Sequence, residues 1–128
     1  MDPFTSAELQ YLESQMLGRL ATAGADGHPH VVPVSFHYNP DQQSIDIGGH
    51  RFGQRKKYRD VQANPWAALV VDDLVSTDPW VVRMLEIRGP AEALLTGGAA
   101  LRPGFAEEMI RIRPQRVVSF GLDQPDGG

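Results

Sequence analysis

LGRLATAGADGHPHVVPVSFHY, Leu17 to Tyr38, reads as strand, tight turn, strand. Leu17 to Ala23 is the first strand, and Ala25-Asp26-Gly27 is a hairpin turn signal. His30 to Tyr38 then alternates. His30, Val32, Val34, Phe36 and Tyr38 share one face; Val31, Pro33, Ser35 and His37 share the other. Pro33 has no amide proton, so this strand lies at an edge or runs irregularly. It either blunts a sheet edge or walls a slot for a flat ring. His37 falls on the polar face, where exposure is expected. So short a connection joins antiparallel strands.

Upstream, Thr5-Ser6-Ala7-Glu8 forms a capping box ahead of a helix from Ser6 to Gln15. Phe4 stands where a hydrophobic staple would. Downstream, Asn39-Pro40-Asp41 marks a turn and Ser44 to Gly48 a third strand. Gly49 to Gly53 is a loop. Gln54 to Ala63 is a second helix, closed by Asn64-Pro65. Trp66 to Asp72, apolar on both faces, reads as a buried strand that Asp72-Asp73 closes. Trp80 to Leu95 is one long strand broken near Gly89-Pro90. Thr96 to Gly104 is a flexible stretch, and Met109 to Arg113 and Val117 to Leu122 are two last strands. The tail Gln124–Gly128 is expected to fray. About seven strands, two helices and no βαβ alternation predict a mainly β, antiparallel small barrel with peripheral helices.

The 128 residues suit one domain, 1–128. No stretch is long and apolar enough for a membrane helix, and no signal peptide is visible. With no cysteine, disulfide scaffolds, thiol nucleophiles and cysteine-held metals are excluded, and a cytoplasmic setting fits. A net charge of −4 argues against nucleic acid as partner. His28 and His30 lie two apart but lack further matched ligands, so no metal site is expected. No nucleophile motif, P-loop or dinucleotide fingerprint occurs, and no catalytic residue is assigned. Trp80 reads equally as a dimer-contact aromatic or a core tryptophan.

The chemistry-bearing feature is basic. Arg51, Arg55, Lys56, Lys57 and Arg59 crowd nine residues without an acid, and Lys56 and Lys57 are the only lysines in the chain. They sit where the second helix begins. The positive end of the helix dipole disfavours cations there by roughly 0.3–1 kcal/mol each. A bound phosphate reverses that sign, because free amides, dipole and side chains then converge on one anion. The alternative is a solvated basic face in which Lys56 pairs with Asp60 four residues on. His50, in the glycine loop beside the cluster, is the histidine best placed to meet a ligand.

The ordered set LGRLATAGADGHPHVVPVSFHY, IDIGGH, the basic helix ending in NP, WAALVVDD, LEIRGPAEAL and IRIRPQRVVSFG resembles the pyridoxamine 5′-phosphate oxidase-like split-barrel family, nearest its actinobacterial deazaflavin (coenzyme F420)-dependent branch. The resemblance spans about Phe4 to Leu122. It implies an FMN-binding-type split β-barrel that pairs into a homodimer with cofactor sites at the interface. It places the cofactor phosphate on Lys57, eight residues before Pro65, with Lys56 and Arg55 beside it. The ring would lie along Val31, Val32, Pro33 and Val34, closed by Gly48, Gly49 and His50. Met84 stands where the family's oxidases carry glutamine, and Val-Pro-Val where they carry a basic residue. Both departures favour F420 over FMN. The implied activity is F420H2-dependent hydride transfer to a small conjugated substrate, held near Trp80, Met84 and Phe120 of the second subunit. The alternatives are an FMN-dependent oxidase or reductase and a non-catalytic F420, flavin or haem-like carrier.

Overall fold

A computed structural model describes residues 2–122; the tail expected to fray, Gln124–Gly128, lies outside the described residues. In chain order the elements are α1 (Ser6–Ser14), β1 (Gly18–Ala23), β2 (Pro29–Val34), β3 (His37–Asn39), β4 (Ser44–Ile47), α2 (Lys56–Ala63), β5 (Trp66–Thr77), β6 (Trp80–Leu94), β7 (Met109–Ile112) and β8 (Arg116–Phe120). Short 3-10 turns cover Phe52–Gln54 and Gly98–Ala100. The strands pair in the order β2-β1-β5-β6-β7-β4-β3, with β8 on β6, and every pairing is antiparallel. The two ends of that order, β2 and β3, are consecutive in sequence and joined by Ser35-Phe36. The chain is therefore a mainly β barrel left split along one seam, as expected.

The long strand β6 makes this shape possible. Its first part pairs with β5 from Trp80 to Pro90 and with β8 from Met84 to Arg88. Its last part, Ala91 to Leu94, pairs with β7. The turnover falls at Gly89-Pro90. A Cβ on Gly89 would run into the Arg113 carbonyl and come within 3.0 Å of the Gln115 amide. That crowding reflects local pairing, since Arg113 donates to Pro90 O and Gln115 to Arg88 O, both at 2.9 Å. The expected break is thus a bend inside one continuous strand.

The core is aliphatic, with Leu20, Ile45, Ile47, Leu69, Val71, Leu85, Ile87, Ile110 and Ile112 fully buried. The capping box forms: Thr5 Oγ1 accepts from Glu8 N at 3.1 Å, and Glu8 accepts from Thr5 N at 2.8 Å. Phe4 is buried edge-on to Tyr38, with centroids 5.6 Å apart. Tyr11 then docks α1 on the β5–β6 hairpin by donating to Asp73 at 2.8 Å, and Arg83 grips the same carboxylate at 2.7 Å.

Several boundaries differ from expectation. The strand over His30–Tyr38 is two strands, parted at Ser35-Phe36, although Val32, Phe36 and Tyr38 still pack on one core. Pro33 does lie on an edge strand. Asp72-Asp73 does not close β5, which runs on to Thr77 because Arg83 neutralises Asp73 and Arg19 meets Asp72. The second helix starts at Lys56 rather than Gln54: Arg51 takes a left-handed φ of 52° and the chain first makes a separate 3-10 turn. Thr96 to Gly104 holds a turn anchored by Gly98 N to Glu107 O at 2.8 Å.

Gly89→Ala is expected to cost about 3 kcal/mol, because two backbone groups would have to yield. Thermal unfolding should show the midpoint falling by about 10 °C. An unchanged midpoint would show that the bend tolerates a side chain.

Candidate functional site

The seam between β2 and β3 opens into a cleft of about 510 Å³. Leu17, Pro33, Val34 and Ser35 form one wall, and Gly48 and Gly49 after β4 form the floor. His50 comes from the loop after β4, Phe52 from the 3-10 turn, Arg55 and Lys57 from the start of α2, and Arg102 and Phe105 from the segment before β7. Among the described residues, three cations line this cleft and no carboxylate does. A second groove of similar size, about 550 Å³ between α1 and β3, carries one acid, Glu13, and no cation.

Each cation has a local cause for its position. Arg55 caps α2 without a side-chain cap bond, and its Nε donates to His50 O at 3.2 Å. The first helical hydrogen bond runs from Arg59 N to Arg55 O at 3.2 Å, which leaves the preceding amides without helical partners. Lys57 is half-buried, its Nζ 5.3 Å from the centroid of Phe52. Burial, and then repulsion from Arg55, hold its ammonium pKa below the ordinary lysine range. Arg102 lies over Phe105 at 5.9 Å. His50 Nδ1 is 2.8 Å from Gly104 O. A carbonyl only accepts, so Nδ1 is assigned the proton and Nε2 is left as the second ring nitrogen.

Glycine keeps the floor close to its neighbours. A Cβ on Gly48 would come within 3.0 Å of Phe105, and one on Gly49 within 3.2 Å of Phe52. Bare backbone therefore faces the cleft between two aromatic rings. This combination fits a flat ring system carrying a phosphate: smooth backbone and apolar walls for the ring, unneutralised cations and free amides for the anion.

Of the residues expected to hold a cofactor, Pro33, Val34, Gly48, Gly49, His50, Arg55 and Lys57 come together here. Val31, Val32 and Lys56 do not line the cleft. Val31 is 64% exposed on the outer face of the sheet, while Val32 packs on the core. Lys56 makes the i, i+4 pair with Asp60 at 2.9 Å. Burial pushes the Asp60 carboxyl up, but hydrogen bonds from Lys56 and Thr22 outweigh it and leave the carboxyl below its usual range. Trp80, Met84 and Phe120 lie on the outer sheet face, with Met84 directly opposite Phe120. His37 is not the exposed histidine expected from its strand face. Its Nε2 is buried without a hydrogen bond, and burial, then Arg102, hold its pKa down. Leu17, Ser35, Phe52, Arg102 and Phe105 escaped the sequence reading. Arg102 and Phe105 flank a Pro-Gly turn, a local signal, but only the tertiary fold brings that turn to the basic helix.

A split barrel with a basic, cofactor-sized cleft at its seam is a recognisable class of protein. The chain belongs to the pyridoxamine 5′-phosphate oxidase family, whose pattern matches residues 4–120. It is 50% identical over 121 residues, 94% of this chain and 85% of the relative, to the 5a,11a-dehydrotetracycline/5a,11a-dehydrooxytetracycline reductase of Streptomyces rimosus. Its fold matches a conserved hypothetical protein of Mycobacterium tuberculosis with TM-score 0.73 at 17% identity, covering 94% of this chain and 86% of that one. It also matches a FAD-binding protein of Mesorhizobium loti with TM-score 0.67 at 23% identity, covering 91% and 92%.

Lys57 generates a paired prediction. Its folded pKa is depressed, so the unfolded chain holds more protons in the window below the ordinary lysine pKa, and stability rises with pH there. Lys57→Met removes the buried charge and keeps the apolar stem. In the absence of ligand it should raise stability by about 0.5 kcal/mol in a melting experiment. A bound anion favours the protonated amine, so affinity for a phosphate-bearing ligand should fall as pH climbs through the depressed pKa. That limb should vanish in Lys57→Met; its persistence would place the anion elsewhere.

Proposed function

We propose that this chain is an F420H2-dependent reductase acting on a conjugated carbon–carbon double bond of a small polycyclic substrate. The carrying observation is the cleft, where Arg55, Lys57 and Arg102 meet no carboxylate among the described residues and the Gly48-Gly49 floor leaves room for a flat ring. The dehydrotetracycline reductase relative supports both the reaction class and the substrate class. When bound in its reduced form, the deazaflavin supplies a hydride for an electron-poor carbon. Lys57, Arg55 and the first amides of α2 hold the phosphate. Pro33, Val34 and Leu17 exclude water from the ring, and Gly48 and Gly49 allow close backbone approach. Met84, in place of the oxidases' glutamine, favours F420 over FMN.

A second copy completes the site on this reading. The outer sheet face exposes Val31, Leu74, Trp80 and Phe120, with Ala68, Val70 and Met84 half-exposed among them. A face of this kind marks an association surface. It continues into the cleft through Pro33 and Leu17, which is 58% exposed. A homodimer across this face would bring Trp80, Met84 and Phe120 of one subunit towards the substrate side of the other. A cysteine-free chain acting on a reduced cofactor belongs in the cytoplasm.

Absorbance and fluorescence titration of the purified protein with F420 and with FMN tests the cofactor. Tight uptake of F420 and weak uptake of FMN is expected. Lys57→Ala should weaken F420 binding by about 1–3 kcal/mol, whereas Lys56→Ala should weaken it by less than about 1 kcal/mol, since Lys56 serves Asp60. With F420H2 and a 5a,11a-dehydrotetracycline, anaerobic turnover should bleach the substrate's extended conjugation. Preference for FMN, or no turnover by an F420-loaded protein, would reject the assignment.

A further inference from the structure

Asp60 is the one acid of α2, and neither it nor Thr22 lines the cleft. Asp60 is 4% exposed. On β1, Thr22 Oγ1 donates to its Oδ2 at 2.9 Å; on the first turn of α2, Lys56 Nζ donates to its Oδ1 at 2.9 Å. The β1–β2 hairpin closes around the group. His30 Nδ1, buried without a hydrogen bond, stands 3.9 Å from Oδ2, and a Cβ on Gly24 would come within 2.7 Å of Oδ1. The carboxylate therefore cannot swing without moving the hairpin. The helix needs such a hold, because it begins with no side-chain cap and no acid in its first turn. Arg55, Lys56 and Lys57 crowd an end where the helix dipole disfavours cations. Two tethers fix it to the barrel: Tyr58 Oη donates to Leu94 O of β6 at 2.9 Å, and Asp60 accepts from Thr22 of β1. Held at both places, the helix cannot turn about its own axis. Successive helical side chains point about 100° apart. The orientation that hands Lys56 to Asp60 thus presents Lys57 to the cleft, over Phe52.

We propose that Asp60 and Thr22 are positioning residues for the anion site. The Thr22–Asp60–Lys56 bonds sort two adjacent lysines: Lys56 is retained on the barrel side of α2, and Lys57 and the first amides of the helix are left to a phosphate. A hydroxyl on β1, outside the cleft, thereby sets how well the helix start meets its ligand. This rests on the cofactor reading above in taking a phosphate as the group held, and it applies to F420 and FMN alike.

Binding titrations that need no turnover test it with paired probes: F420 against the deazaflavin lacking phosphate and tail, and FMN against riboflavin. Thr22→Val keeps the shape of the side chain and removes its hydroxyl. It is expected to weaken the phosphate-bearing cofactor about fivefold and to leave the phosphate-free partner within about twofold. Thr22→Ser should restore the wild-type affinity. In a Lys57→Met background Thr22→Val should cause no further loss, because the lysine it positions is gone. Melting curves verify that each variant folds; Thr22→Ala, which puts no methyl against the carboxylate, gives the same comparison where the valine variant does not. Wild-type protein that takes up neither F420 nor FMN overturns this proposal together with the cofactor reading. Uptake by the wild type that the loss of the hydroxyl leaves unchanged, an equal loss for phosphate-bearing and phosphate-free probes, or a full further loss in the Lys57→Met background overturns this proposal alone.

Discussion

The bend of β6 at Gly89-Pro90 is the constraint on which the architecture rests. One strand serves β5 and β8 before the bend and β7 after it. A straight strand could not pass from one half of the barrel to the other, and β4 and β3 hang on β7 beyond it. Turning the sheet in this way brings its two end strands, β2 and β3, to the same seam. They are neighbours in sequence yet do not pair. The space they leave is the cleft. The glycine that shapes the barrel is therefore remote from the ligand site but indirectly decides that there is one.

Charge is treated differently inside the seam and elsewhere. Two buried carboxylates meet cations, Asp46 with Arg111 at 2.9 Å and Asp60 with Lys56 at 2.9 Å, and the half-buried Asp73 meets Arg83 at 2.7 Å. Burial pushes the Asp46 carboxyl up, but hydrogen bonds from Arg111, Asn39 and Ser44 outweigh it and hold the carboxyl below its usual range. Removing a partner from such a pair strands a charge in low dielectric, which costs several kcal/mol on the order of 3–5. The other buried carboxylate, Glu8, accepts from Thr5 N and the Ser119 hydroxyl, so each buried acid among the described residues has a partner. Within the cleft the described residues supply no counter-charge, although Lys57 is half-buried and Arg55 presses on it. A ligand anion is the natural complement.

Local signals in the sequence were translated accurately. The capping box, the Asp-Gly turn, the NP helix stop and the edge position of Pro33 each depend on neighbours a few residues away. Continuity depended on distant partners and was misjudged. Nothing in Asp72-Asp73 shows that Arg83 and Arg19 will neutralise both acids across strand pairs, so β5 looked shorter than it is. Nothing in HVVPVSFHY shows that its two halves will belong to opposite ends of the sheet. The site follows the same division. Arg55 and Lys57 were legible because a basic helix start is a local anomaly. Arg102 and Phe105 were not, because they lie some forty-five residues further on and reach the cleft only through the β6 bend. WAALVVD is apolar on both faces, which predicts burial of both; the barrel covers Ala67, Leu69 and Val71 and leaves Ala68 and Val70 half-exposed.

Lys57 shows why charge sign and environment together are more informative than charge count. Arg59 and Lys56 belong to the same basic run, yet their side chains are already satisfied: Arg59 donates to Gln54 O at 2.7 Å and Lys56 to Asp60. A count of positive residues treats all of these alike. Geometry separates a cation that stabilises the fold from one that opposes it. For Lys57 the fold withdraws solvent, places an arginine nearby and offers a ring face in return. A cation–π contact of this kind returns only about 0.5–2 kcal/mol. It does not replace a counter-ion. An anion in the cleft would reverse the sign of every unfavourable contribution at once: it would replace the lost solvent, screen Arg55 and complete the amides of α2. A group that is costly in the absence of a ligand and favourable in its presence couples binding to stability directly, and that coupling distinguishes a binding residue from a merely basic surface.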